Sequence, residues 1–123
     1  MAEITLIEAL RQAMDEEMER DDRVFITGED VGQRGGVFRA TQGLFEKYGA
    51  ERVIDSPLAE LSIVAVGIGA ALVGMRPICE IQFADYIFPA FNQIVNEAAM
   101  VYYRTGGDWH VPMVIRAPYG GGI

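Results

Sequence analysis

Apolar positions in the first twenty residues recur at helical spacing. Thr5-Leu6-Ile7-Glu8 has the form of a capping box, with Thr5 as N-cap and Glu8 three residues later. Leu6, Leu10, Ala13, Met14 and Met18 follow on one stripe, and Arg11, Asp15, Glu16, Glu19 and Arg20 fill the opposite, solvated face. Asp21-Asp22-Arg23 closes this helix, and Val24 to Thr27 is a short apolar run of strand type. Gly28 to Gly36 forms a pliable loop. A second helix is predicted over Thr41 to Tyr48, stopped by Gly49, and a strand over Val53 to Asp55. After a Ser56-Pro57 turn, Glu60 heads an almost wholly apolar helix running to Gly74. Arg76-Pro77 breaks it, and Ile78 to Phe83 reads as the third strand. An aromatic turn, Ala84 to Phe88, leads to Pro89 at the first position of another helix. Phe91, Ile94, Val95, Ala98 and Tyr102 form its apolar stripe, Gly106-Gly107 ends it, and Pro112 to Arg116 is the last strand.

Strands that alternate with helices predict an α/β fold, an open parallel sheet with helices on both faces. In such sheets ligands bind beyond the carboxyl ends of the strands. Those ends are Gly28-Glu29, Asp55 to Glu60, Gln82 to Tyr86, and Arg116 to Tyr119, so Glu29, Glu60, Gln82 and Tyr86 are expected on one rim.

Within the Glu60 helix, Gly67-Ile68-Gly69 superficially suggests a dinucleotide site. Such a site needs its glycines in a strand-to-helix turn, whereas these lie about two turns inside a helix. Gly67 with Ala71, and Ala70 with Gly74, instead make small-residue rows that admit a close backbone neighbour, with a second subunit as one candidate.

Composition narrows the class. The 123 residues are 50% hydrophobic and 23% charged, which fits one globular domain with a single core. A net charge of -8 argues against a surface that tracks nucleic-acid phosphates or an anionic membrane. The single cysteine, Cys79, favours a reducing compartment, here the cytoplasm. Glu3 and Glu8 interrupt any signal-peptide pattern, and the fifteen residues from Leu61 to Met75 are short for a membrane span. A soluble protein is expected.

Glu60 carries two readings. A carboxylate in the first turn faces the positive end of the helix dipole and can accept its free N–H groups. Yet Leu58, Leu61, Ile63 and Val64 surround it with apolar residues. That setting is expected to raise its pKa and suits a proton shared with a ligand nitrogen. Glu29-Asp30 after a strand serves a metal, a ligand or a turn, and no third carboxylate or histidine beside them favours the metal. Cys79 reads as a core residue and His110 as structural. No phosphate-binding loop, metal cluster or nucleophile triad is present in the sequence, so these residues define a pocket but no reaction.

GEDVG, RVIDSPLAE, GIGAALVGMRPICEIQFADYIFPAFNQIVNEAA and YRTGG resemble the beta subunit of thiamine-diphosphate-dependent 2-oxoacid dehydrogenase E1 components. The resemblance runs in register along the chain, and EIQFADYIFPAFNQIVNEAA is more similar to branched-chain than to pyruvate enzymes. It implies a pyrimidine-binding domain over residues 1–123, incomplete at its C-terminus, because family members continue past Gly120-Gly121-Gly122-Ile123. It implies that Glu60 contacts N1′ of the cofactor's aminopyrimidine. Leu58 and Tyr86 match further ring contacts, Gln82 lies near the pocket, and Glu29 is a weaker match. The diphosphate and Mg²⁺ would be held by an alpha subunit through a Gly-Asp-Gly motif, which Gly106-Gly107-Asp108 is not. Carbonyls of 111–114 would be this chain's share of a K⁺ site. The implied activity is oxidative decarboxylation of a branched-chain 2-oxoacid or pyruvate with acyl transfer to a lipoyl group. The implied partners are an alpha subunit and a second beta subunit in a heterotetramer, and a lipoyl-bearing E2 acyltransferase. The isolated chain would be inactive. Two other readings stay open: another transketolase-type thiamine-diphosphate enzyme, and a non-catalytic interaction module.

Overall fold

The computed structural model describes residues 3–120 and 122; Met1, Ala2 and, in the closing glycine stretch, Gly121 and Ile123 lie outside the described residues. Eight regular elements follow in order: α1 (Leu6–Arg20), β1 (Val24–Gly28), α2 (Leu44–Tyr48), β2 (Val53–Asp55), α3 (Glu60–Leu72), β3 (Arg76–Glu80), α4 (Val101–Arg104) and β4 (Val114–Arg116). The strands pair in the order β2-β1-β3-β4, and every pairing is parallel. Helices cover both faces, as the alternation predicts. On one side Met14 and Met18 of α1 and Leu44 of α2 pack on Val24, Ile26 and Val53. On the other, Ile63, Val64 and Ile68 of α3 join Cys79, Ile81 and Ala90. All five residues of β1 are buried, as a central parallel strand requires.

The capping box forms as expected, with Thr5 Oγ1 accepting from Glu8 N–H and Glu8 accepting from Thr5 N–H. Only the second half of the α1 stripe reaches the sheet; Leu6 is 77% exposed. Arg52 ties the end of α1 to β1, its guanidinium donating to the carbonyls of Met18 (2.7 Å), Asp21 (3.0 Å) and Val24 (2.7 Å). These include carbonyls that the end of a helix leaves without partners.

Several boundaries depart from expectation. The third strand is Arg76–Glu80, not 78–83. Arg76 N–H already pairs with Arg23 O of the β1 side at 2.9 Å, and Ile81 N–H turns to Arg116 O of the β4 side. Pro77 therefore lacks its N–H on the β4 side, where β4 only begins opposite Ile78, and the strand tolerates it. Gln82 and Phe83 fall beyond the strand because the chain bends there into a 3₁₀ turn at Ala84–Tyr86. The second helix starts at Leu44 rather than Thr41. Gly43 sits at φ 84, and the buried Thr41 hydroxyl donates to Val31 O at 2.7 Å. The last strand begins at Val114, after a Met113 N–H to Val111 O turn.

The expected single helix from Pro89 is instead a broken path. A 3₁₀ turn at Phe88–Ala90 leads to a π-helical stretch at Gln93–Ala98, and α4 follows. Ala99 N–H reaches Ile94 O at 2.9 Å, the wide ring of a π turn. Of the expected stripe, Ile94 and Ala98 pack on the core while Phe91, Val95 and Tyr102 stay exposed.

Candidate functional site

The strands end in line. Gly28 pairs with both Asp55 and Glu80, and Glu80 pairs with Arg116, so the residues that follow make one rim. Only glycine fits at position 28, because a Cβ there would lie 2.6 Å from Glu80 O.

Glu60 is the first residue of α3. The N-cap is Ala59, which supplies no capping side chain, and Glu60 has no hydrogen-bond or ion-pair partner among the described residues. It is half-buried. The helix-capping reading therefore has no bond to support it. The apolar enclosure expected from its neighbours is not built by the described residues either, since Leu58 is 74% and Leu61 44% exposed. Leu61 points outward because α3 buries Ile63, Val64, Gly67, Ile68 and Ala71 instead, and Leu58 lies in the connection before the helix.

Glu29, half-buried after β1, is brought into electrostatic range of Glu60. Burial pushes its carboxyl above the usual carboxylate range, and the charges of Asp30 and Glu60 add to the rise. Tyr86 is brought to a different neighbour: its ring meets Phe83 edge-on at 5.8 Å, and Phe83 meets Phe38 at 6.2 Å. Gln82, half-buried, precedes Phe83 on the same rim. The aromatic row thus joins the β3 exit to the loop after β1.

That loop is tightly held. Val31 is fully buried, Gly36 N–H donates to Asp30 O at 2.8 Å, and Gly32 N–H donates to Asp55 Oδ1 at 2.7 Å. Asp30, Phe38 and Arg39 adopt φ of 58°, 55° and 60°, conformations that residues with a Cβ enter only at a cost. None of Phe38, Asp55 or the loop strain was signalled by composition or periodicity, because each depends on contacts between separate segments.

Beneath the rim lies a buried ion pair between two residues that strand periodicity alone does not mark. Glu80 is fully buried, and its Oε2 accepts from Arg116 Nε (3.1 Å) and Nη2 (2.5 Å). Oε1 is buried without a partner. Breaking such a pair from one side leaves an uncompensated buried charge.

Cys79 is a core residue, as expected. Burial pushes its thiol up to about 12, which leaves it unreactive. Gly67 lies directly over it, since a Cβ there would overlap Cys79 Sγ and come within 2.9 Å of Met113 Cε. The Gly67–Ala71 row therefore packs α3 on its own sheet. This corrects the expectation of a second subunit against that row, while Gly69 faces open space. His110 is exposed, its ring 4.9 Å from that of Tyr102.

A cleft of about 470 Å³ opens at the opposite, amino-terminal edge of the sheet, between Arg20, Arg23, Arg76 and Met113. It contains none of the rim carboxylates. Two smaller clefts flank the rim, one between Phe83, Phe88 and Tyr119 and one between Phe38, Arg116 and Tyr119. Among the described residues, no three His, Cys, Asp or Glu side chains gather as a metal site, and no helix is long and apolar enough to cross a membrane.

The chain matches the transketolase pyrimidine binding domain over residues 2–123 and belongs to that family. Its relatives are more specific. It is 62% identical over 123 residues to the 2-oxoisovalerate dehydrogenase subunit beta of Bacillus subtilis (strain 168), covering 100% of this chain and 38% of that protein. It is 53% identical over 120 residues to the protein of the same name from Pseudomonas aeruginosa, covering 98% and 34%. It is 51% identical over 123 residues to the pyruvate dehydrogenase E1 component subunit beta of Acholeplasma laidlawii, covering 100% and 38%. The chain thus spans little more than a third of the length of these relatives.

Proposed function

We propose that this chain is the pyrimidine-binding part of the beta subunit of a 2-oxoacid dehydrogenase E1 component, working with thiamine diphosphate. The observation that carries the reading is Glu60, a carboxylate without a partner, beside the raised carboxyl of Glu29. The residues present fit the cofactor's aminopyrimidine: an unpartnered acceptor for its N1′ proton stands on the same rim as the Phe38–Phe83–Tyr86 aromatic row. When bound, the cofactor's thiazolium supplies the electron sink for loss of carbon dioxide.

Glu60 holds the proton at the ring nitrogen, with the Glu29 carboxyl on the same rim within its electrostatic range. Leu58 and Tyr86 orient the ring, with Gln82 at its edge. Leu58 and Leu61 gain their apolar role when another subunit closes over α3. An alpha subunit holds the diphosphate and Mg²⁺, and the carbonyls of 111–114 contribute to a K⁺ site. The assembly is a heterotetramer with a second beta subunit, and the acyl group passes to a lipoyl-bearing E2 acyltransferase. Identity of 62% with a 2-oxoisovalerate enzyme supports a branched-chain 2-oxoacid over pyruvate. The location proposed for the chain is the cytoplasm, where a single unpaired cysteine is ordinary.

The test is Glu60→Gln in a beta subunit assembled with its alpha subunit. Decarboxylation is expected to fall by about 10²–10⁴, the contribution of a positioned proton-transfer group, with thermal stability unchanged. Near-normal turnover at full cofactor loading would overturn the assignment.

A further inference from the structure

The rim brings Glu29 and Glu60 together from two different connections, and one side chain joins those connections. Asp55 closes β2, five residues before Glu60. Its Oδ1 accepts Gly32 N–H at 2.7 Å, in the loop that begins with Glu29. Among the described residues this is the side-chain hydrogen bond between segment 29–36 and segment 55–60. Thr41 Oγ1, by contrast, bonds Val31 O and ties that loop only to its own continuation. Gly32 is shaped to the contact: a Cβ there would lie 2.5 Å from Asp55 Oδ2. Below them, Ser56 N–H donates to Gly28 O at 2.9 Å, so the two strand ends are already fixed in register.

We infer that Asp55 is a positioning residue: by accepting Gly32 N–H, its carboxylate holds the Glu29 loop against the connection that presents Glu60. In this role it acts through the loop and not on the reacting atoms. A charge-assisted bond to a backbone N–H is short and directional, and it acts on the loop within three residues of Glu29. Val31 and Thr41 keep the loop folded without it, but neither reaches the Glu60 side. The groups that act on the Glu29 carboxyl are its own burial, Asp30 and Glu60. Loosening the loop removes the first and last of these, so Glu29 returns toward its ordinary, lower value.

The inference rests on the reading of Glu60 given above, and its test separates the two. Asp55→Ala and Gly32→Ala, made in the assembled enzyme, break one contact from opposite sides. In the cofactor-free assembly, amide hydrogen exchange over 29–36 should accelerate by about tenfold or more in both variants. With cofactor and substrate, kcat should fall by about 10- to 100-fold, the scale of a small misplacement, with KM little changed. The acid limb of the kcat profile should move to lower pH. Asp55→Asn keeps an acceptor oxygen and should restore exchange and kcat to within about threefold of the parent. The double variant should be no worse than Asp55→Ala, because both changes remove the same bond. Unchanged exchange would overturn the proposal. So would a lowered melting temperature with kcat and its pH profile intact, which marks a merely structural pin. Turnover by Glu60→Gln would instead remove the functional reading while leaving the exchange result to stand or fall alone.

Discussion

Glu8 and Glu60 are the same residue type in the first turn of two helices, and they are wired in opposite ways. Glu8 accepts from the Thr5 N–H and hydroxyl, both at 2.8 Å, and these bonds hold its carboxyl below the usual range. Glu60 follows Ala59, which caps nothing, and has no partner among the described residues. The first carboxylate completes its own helix. The second is left with its hydrogen-bonding capacity open at the rim, although the helix it heads is uncapped. A stability role predicts the first arrangement and a ligand role the second, so position in a helix does not decide between them; the bonding partners do.

The largest effect should come from exchanging the two roles by mutation. Glu60→Gln is expected to cost two to four orders of magnitude in decarboxylation with an unchanged melting temperature. Glu8→Ala should lower the melting temperature and leave turnover alone. Paired assays of rate and thermal unfolding on both variants check this, and equal rate losses would erase the distinction.

Next in size are two volume changes on the two sides of α3. Ala71→Leu overpacks the contact with the sheet and should destabilise the fold by about 1–3 kcal/mol, read by chemical denaturation. Gly69→Leu places the larger side chain in open space and improves helix propensity, by up to about 1 kcal/mol. It should leave the fold intact and weaken association with a second subunit, measured by sedimentation velocity. Loss of stability in Gly69→Leu would place that face against the protein's own core.

Smaller again, Thr5→Ala removes the side chain that caps α1 and should cost about 1 kcal/mol in unfolding free energy. No equivalent substitution exists at Ala59, which already lacks the group.

The smallest effects are in pH dependence, where Glu8 and Glu29 have opposite signs. Glu8 is held below its ordinary 4.5, so its contribution is present above that pH and lost as pH falls through the lower folded value. Glu29 is raised, chiefly by burial, so its charged form opposes folding at neutral pH and that opposition is relieved as pH falls through the raised value. Urea titrations from pH 7 to pH 3 should show Glu8→Gln flattening the acid loss. Glu29→Gln should raise stability at pH 7. A reversed sign in either variant would contradict the contacts described.

The sequence by itself determined the features that short-range chemistry controls. The capping box at Thr5–Glu8, the Met14–Met18 stripe, the stop at Gly49 and the parallel alternation of strand and helix all follow from periodicity and local bonding. The rim positions of Glu29, Glu60, Gln82 and Tyr86 followed from topology, since side chains after parallel strands must share one edge. Tertiary structure decided what no local pattern encodes. It turned the Gly67–Ala71 row onto Cys79, left Gly69 open, and widened the 93–98 segment into a π turn. It also paired Glu80 with Arg116 and Asp55 with Gly32, partners 36 and 23 residues apart. A hydrogen bond across such a separation depends on how strands register and loops close, and neither is written in the spacing of the residues that make it.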